Sequence, residues 1–250
     1  MRAMFTVEER DRVRDHVLSM ADADARVVAA AVVGSFARGG DDRWSDLDLT
    51  FAVLDDVPVQ DVLRDWTPVL ADQFGAVQLF DLPSHSTTYR VFLLPGCLQV
   101  DLSFTPASDF RAGPGFRLLF GNAVNPVETT HTPQPAYEVF GLAVHHAVRA
   151  RVCIERGRYW QAEYWISEIR EHALSLACRC HGLDPSHGRG FDDLPADVLA
   201  PFSGALVRSP ARDDLLEALA GAVAALLRES MDVRDLAVKL EPQLRELATI

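Results

Sequence analysis

The sequence predicts an α+β protein: an N-terminal mixed β-sheet domain with flanking helices, followed by a C-terminal α-helical bundle. Three observations carry this. Short β-branched apolar runs recur between residues 27 and 106, separated by turn residues. Beyond Pro135 the apolar residues recur at intervals of three and four instead. Between the two regimes lies "PASDFRAGPGFRLLFGNAVNPVETTHTPQP", rich in glycine and proline. The boundary is drawn so that residues 1–130 form the first domain and 131–250 the second.

Taken in order, Thr6 followed by Glu8 and Glu9 is an N-cap with acids in the first turn, and Val13, Val17 and Leu18 continue a helix over 6–20. "ARVVAAAVVG" and "DLDLTFAVL" read as strands, with "SFARG" starting a short helix between them. "VQDVLRDWTPVLADQFG" has helical periodicity with a glycine stop, and "AVQLFDL" is a third strand, an order of β-α-β-α-β. "TTYRVFLLP" and "CLQVDLSFTP" flank Pro95-Gly96, which is turn chemistry, and should form a hairpin. No further strand is expected before Pro135. Helices are expected at about 136–153, 158–181, 211–229 and 232–248.

Composition narrows the function. Of 250 residues, 48% are apolar and 24% charged, as in ordinary globular chains rather than disordered ones. Twenty-four Lys and Arg against 36 Asp and Glu leave a formal charge of −12, which disfavours a nucleic-acid partner and favours a cationic one. The N-terminal stretch alternates charged with apolar residues, and no window holds the 18 or so apolar residues of a membrane span, so a cytoplasmic protein without a membrane partner is expected. Cys97, Cys153, Cys178 and Cys180 lack disulfide-framework spacing and are expected to be reduced and buried.

The chemistry concentrates in "VVGSFARGGDDRWSDLDLTF". Side chains alternate along a strand, so Asp46 and Asp48 project to one side while Leu47, Leu49 and Phe51 enter a core on the other. Two carboxylates side by side raise each other's pKa unless a cation sits between them. All-oxygen ligands with open positions suit Mg2+. Gly34 lets the backbone approach a phosphate, and Ser35 offers a hydroxyl and an N–H at a helix end, so the pair would hold a triphosphate. Asp101, between Val100 and Leu102 in an apolar strand, needs a partner for its charge and finds one in the same metal site. Arg38 either reaches a phosphate or lies on the helix surface beside Asp41 and Asp42.

A Gly-Ser pair, ten residues, D-x-D and a later strand aspartate resemble the DNA polymerase β-like nucleotidyltransferase superfamily. The sheet-then-bundle layout is similar to the antibiotic nucleotidyltransferases that act on aminoglycosides or lincosamides. The resemblance covers roughly residues 27–104. It implies transfer of a nucleoside monophosphate, AMP from ATP or another NTP, to a hydroxyl of a small and cationic acceptor such as an aminoglycoside, which would confer antibiotic resistance. It further implies two Mg2+ ions held by Asp46, Asp48 and Asp101, with Asp101 binding the catalytic metal or taking the hydroxyl proton, and Gly34 and Ser35 on the triphosphate.

Members of the antibiotic-modifying group take a general base from the helical half, and Glu163 fits that role: Tyr159, Trp160 and Tyr164 should enclose it and raise its pKa. Otherwise it is an ordinary surface ion-pair residue. Trp160, Glu163, Ser167 and Arg170 share one helix face. Glu138, Glu168 and Glu171 are further acids for a cation-binding acceptor wall. Cys178, Cys180, His181 and His187 lack a structural zinc spacing, and His145-His146 reads as a helix pair with one ring buried. The loop with Arg189 reads as a connector or a lid. Two other functions share these residues: a toxin-like transferase modifying protein or tRNA, whose RNA version lacks a basic stripe, and a nucleotide-binding regulator without turnover, which would not need three intact acids.

Overall fold

In the computed structural model, which describes residues 4–37, 39, 42–113, 115–124 and 133–249, the chain divides into two units, Met1–Thr130 and His131–Ile250. The first begins with α1 (Val7–Ala23), started by the expected cap: Thr6 Oγ1 accepts the Glu9 N–H at 3.2 Å, and the Glu9 carboxylate accepts the Thr6 N–H at 2.8 Å. β1 (Val27–Val33), the single turn α2 (Gly34–Ala37), β2 (Leu47–Val53), α3 (Val59–Phe74), β3 (Val77–Ser84), β4 (Thr87–Leu94) and β5 (Leu98–Pro106) follow. Gly75 ends α3 in the left-handed conformation, φ +64°, that its lack of a Cβ permits.

A sixth strand, β6 (Phe116–Phe120), corrects the expectation that 106–135 is irregular. It is a five-residue edge strand paired antiparallel with β1. Its interior residues Arg117, Leu118 and Leu119 are all exposed, so no inside–outside alternation marks it in the sequence.

The sheet order is β3-β4-β5-β2-β1-β6. β2 and β5 are parallel, and the other neighbours are antiparallel, which makes the sheet mixed as expected. β4 and β5 form the expected hairpin. One face is the core: Leu47, Leu49, Phe51, Phe92, Leu102 and Phe104 are buried under Val13 and Val17 of α1 and Val62, Leu63 and Trp66 of α3. The rings of Phe51, Trp66 and Phe104 pack with centroids 5.1, 5.2 and 5.3 Å apart. Each such side chain contributes about 1.5–3 kcal/mol on burial. This apolar face forces the residues between, Asp48 and Thr50 on β2 and Asp101 and Ser103 on β5, to the opposite side.

The second unit is helical: α4 (Ala136–Glu155), α5 (Tyr159–Cys180), α6 (Ala196–Leu199), α7 (Arg212–Arg228) and α8 (Arg234–Leu247). The four long helices lie where periodicity puts them. The short α6 and the 3-10 turn Ala200–Ala205 were not expected. Phe140, Ala143, Ala147, Ala150 and Ile154 of α4 pack with Ala162, Ile166, Ile169 and Ala173 of α5 and with α7 in one core. Small side chains every three or four residues let these helices approach closely. The stretch after α5 is a folded connector, with the Gly190 N–H bonded to the Asp184 carbonyl and Leu194 packed on Ala177 and Cys178.

All four cysteines are free, but Cys97 and Cys180 are exposed, against the expectation of four buried thiols. Cys97 sits in the hairpin turn and Cys180 at the end of α5, where chain reversal leaves little cover. His146 is buried and its neighbour His145 is exposed, as the helix pair predicted. No helix among the described residues is long and apolar enough to cross a membrane.

Candidate functional site

The parallel ladder between β2 and β5 puts Leu47 opposite Val100, Asp48 opposite Asp101 and Leu49 opposite Leu102. The two aspartates are thus lateral neighbours on the face away from the core. Asp46 lies two residues before Asp48, on the same side by alternation. One carboxylate oxygen from each of Asp46, Asp48 and Asp101 lies within 4.8 Å of the other two. Buried Thr50 and Ser103 flank the pair further along the strands.

Burial raises the Asp101 pKa, the side chain of Gln99 works against that, and the charge of Asp46 adds to the rise. Gln99 Nε2 lies 3.1 Å from both Asp101 oxygens. The charged form of Asp101 therefore lacks sufficient compensation from the protein alone.

Gly34 occupies φ +73°, and a Cβ there would overlap the Asp48 carboxylate. The backbone at the end of β1 can come this close to an acid only because position 34 is glycine. The expected short helix is present as α2, yet it is one turn long, so its dipole is small.

The approach to Asp46 is fixed by residues that the sequence did not single out. The Asp42 carboxylate accepts the Trp44 N–H at 2.8 Å and the Ser45 hydroxyl at 3.2 Å, an Asx turn. Arg10, 3% exposed on α1, donates to the carbonyls of Asp42 at 2.6 Å and Ser45 at 3.2 Å. Its guanidinium also lies 4.4 Å from the centre of the Phe36 ring on α2. One buried cation therefore ties together the loop before Asp46 and the turn after Gly34. A lone arginine inside a charged helix carries no signal of this. Gln99, two residues before Asp101 on β5, shares its side of the strand by alternation.

Of the residues predicted for the site, Gly34, Asp46, Asp48 and Asp101 come together. Arg38 and Asp41 lie outside the described residues, as does the Ser35 side chain. Glu163 stands on α5 of the helical unit, half-buried, accepting the Ser167 hydroxyl at 2.8 Å, while Arg170 donates to Ser167 Oγ at 3.1 Å. These three share a helix face as predicted. The aromatic enclosure of Glu163 is not formed: Trp160 is 77% and Tyr164 52% exposed, because both project from α5 to solvent rather than over the carboxylate.

The chain matches no family model and no curated protein. Among solved structures it aligns with an aminoglycoside 6-adenyltransferase from Bacillus subtilis over 100% of both chains, at 13% identity and a TM-score of 0.41. At that score the likeness transfers neither fold nor activity. What the chain itself displays is an all-oxygen, three-carboxylate group on the sheet face away from the main core, with a glycine turn against it.

Proposed function

We propose that the chain is a metal-dependent nucleotidyltransferase, with residues 1–130 carrying the transfer chemistry. The supporting observation is the register that sets Asp48 beside Asp101, with Asp46 in reach and Gly34 against Asp48. The donor set fits hard divalent cations: three carboxylates, no nitrogen or sulfur, and an Asp101 whose burial disfavours its charged form unless a cation is present. Divalent ions at such a site neutralise charge on a transferring phosphoryl group and on the oxygens entering and leaving it.

The residues divide the work as follows. Asp46 and Asp48 would hold two Mg2+ ions, Asp101 would hold one of them or accept the proton of the attacking hydroxyl, and the turn at Gly34 and Ser35, with Arg38, would receive the triphosphate of ATP or another NTP. Arg10 is a positioning residue, since it holds the loop that aims Asp46. Glu163 serves as general base toward a small hydroxylated acceptor, and the −12 charge suits a cationic one such as an aminoglycoside. The Ser167–Arg170 chain behind Glu163 orients its carboxylate for that role.

The test is direct. The protein is incubated with Mg2+, each of the four nucleoside triphosphates and a panel of aminoglycosides and lincosamides, then assayed for pyrophosphate release and for a nucleotidyl mass gain on the acceptor. Mg2+-dependent release that disappears in Asp48→Asn supports the assignment. Release that survives in Asp48→Asn, or no release with any pair, overturns it.

A further inference from the structure

The helical unit carries a second group of ligating side chains, which the transferase reading leaves unused. His146 of α4 and Glu168 and His172 of α5 each bring one ligand atom within 4.8 Å of the other two. Glu168 and His172 are one turn apart, on one face of α5, and α4 packs along that helix.

The surroundings are unusual for histidines that merely fill space. His146 is 9% exposed. Its ring stacks on His172, with centroids 5.1 Å apart and planes at 22°, and the rings of Trp165 at 4.8 Å and His145 at 5.8 Å are its further neighbours. His146 Nδ1 and His172 Nε2 are both buried without a hydrogen-bond partner among the described residues. A buried polar atom left unsatisfied costs about 1–3 kcal/mol, and two such atoms in neighbouring rings beside a carboxylate point to a ligand that satisfies them together. Burial lowers the pKa of both rings, while Glu168 opposes the shift in each. Neutral imidazoles are the form that binds metals.

We propose that His146, Glu168 and His172 form a transition-metal site of the zinc class, with three protein ligands and a fourth position for water. Two imidazoles and one carboxylate are a donor set that zinc accepts, and nitrogen donors select against Mg2+, which takes oxygen. Ligands at ~2.0–2.1 Å around a tetrahedral ion stand roughly 3.3 Å apart, and the ligand atoms, already within 4.8 Å of one another, would draw together around an ion. The ion would pin α4 to α5. This does not depend on the transferase assignment.

The experiment uses the full chain, stripped with a chelator and titrated with ZnCl2 in excess Mg2+, so that the aspartate group is occupied. Binding is followed by calorimetry and by metal analysis after gel filtration, with Co2+ absorption reporting nitrogen ligation. The expected result is one equivalent of zinc in the wild type and in Asp48→Asn, and a Kd weakened beyond the roughly 10–100-fold typical of losing an outer partner in both His172→Asn and Glu168→Gln. Far-UV circular dichroism checks that these two variants fold; if one does not, the other decides. No retained zinc in the wild type, zinc held equally by the folded His172→Asn or Glu168→Gln, or zinc lost in Asp48→Asn would each overturn the proposal.

Discussion

The two ligating groups of this molecule solve one geometric problem in opposite ways. Asp46, Asp48 and Asp101 converge because two strands hydrogen-bond in a particular register, which leaves the acids on the sheet face away from the main core, flanked by a loop and a one-turn helix. His146, Glu168 and His172 converge because two helices pack at a particular rotation, which leaves them at the edge of an alanine-rich core. One member of the second group, His146, is buried, whereas none of the three aspartates is. Under the two proposals, a metal at the first group would act on a substrate and a metal at the second on the fold. The general lesson is that a sheet gathers ligands by register, whereas a helix pair gathers them by rotation.

The largest effect that would test this contrast comes from Asp48→Asn. It should lower the pyrophosphate-release rate about 10³-fold or more, the scale of losing several kcal/mol of charge stabilisation. Zinc uptake should be unchanged, and coupled loss of both would erase the distinction. Glu163→Gln should come next, slowing transfer by about 10²–10⁴-fold, the usual worth of a general base. Glu163 lies on the same helix as Glu168 and His172, so a rate loss without a zinc loss shows that the two functions of α5 are separable. An unchanged rate instead assigns proton removal to Asp101 or water.

A smaller effect is expected from Gly34→Ala, where the left-handed backbone costs an L-residue roughly 1–2 kcal/mol and the new methyl displaces the Asp48 carboxylate. Chemical denaturation should show that loss, together with a weaker stabilisation by Mg2+. Retention of the full Mg2+ response would mean that Asp48 does not need its present position.

On the stability of the metal-free protein, Asp101→Asn should have the smallest effect and the opposite sign. Because the folded state holds this carboxyl above its usual range, the folded protein binds its proton more tightly than the unfolded chain does. The resulting loss of stability sets in as pH rises through the ordinary carboxylate pKa and is complete above the raised one. Asparagine removes that loss, so the metal-free variant should melt higher than the wild type at neutral pH and show a flatter profile as pH rises above the ordinary carboxylate range. Added Mg2+ should raise the melting temperature of the wild type but not of the variant. A metal-free Asp101→Asn that melts lower would show that the carboxylate is already compensated by the protein.

Much of the sheet site was legible because its signals are local. Alternation fixes which way Asp48 and Asp101 face once Leu47, Leu49 and Leu102 enter the core, and Gly34 and Pro95-Gly96 mark turns through backbone chemistry. That Asp101 joins Asp46 and Asp48 was expected from the motif, but the parallel register that does it was not legible, since it depends on β5 docking beside β2 after a helix and two strands intervene. Arg10 was hidden for a similar reason: its carbonyl partners lie 32 and 35 residues away. In the helical unit, Glu168 and His172 are visible as a one-turn pair, but the rotation that brings His146 to them is set by packing between helices. β6 escaped because an edge strand with an exposed interior has no period to read. Exposure of Trp160 and Tyr164 escaped because adjacency in sequence says nothing of which aromatic turns outward.

The side-by-side placement of Asp48 and Asp101 also decides which length changes evolution can tolerate here. Inserting or deleting one residue within Leu98–Pro106 would swap the strand's two faces, carrying an acid into hydrocarbon and a leucine into water. Lineages of this protein should therefore keep the length of this strand fixed, while the count from Asp48 to Asp101 changes only in the loops between strands.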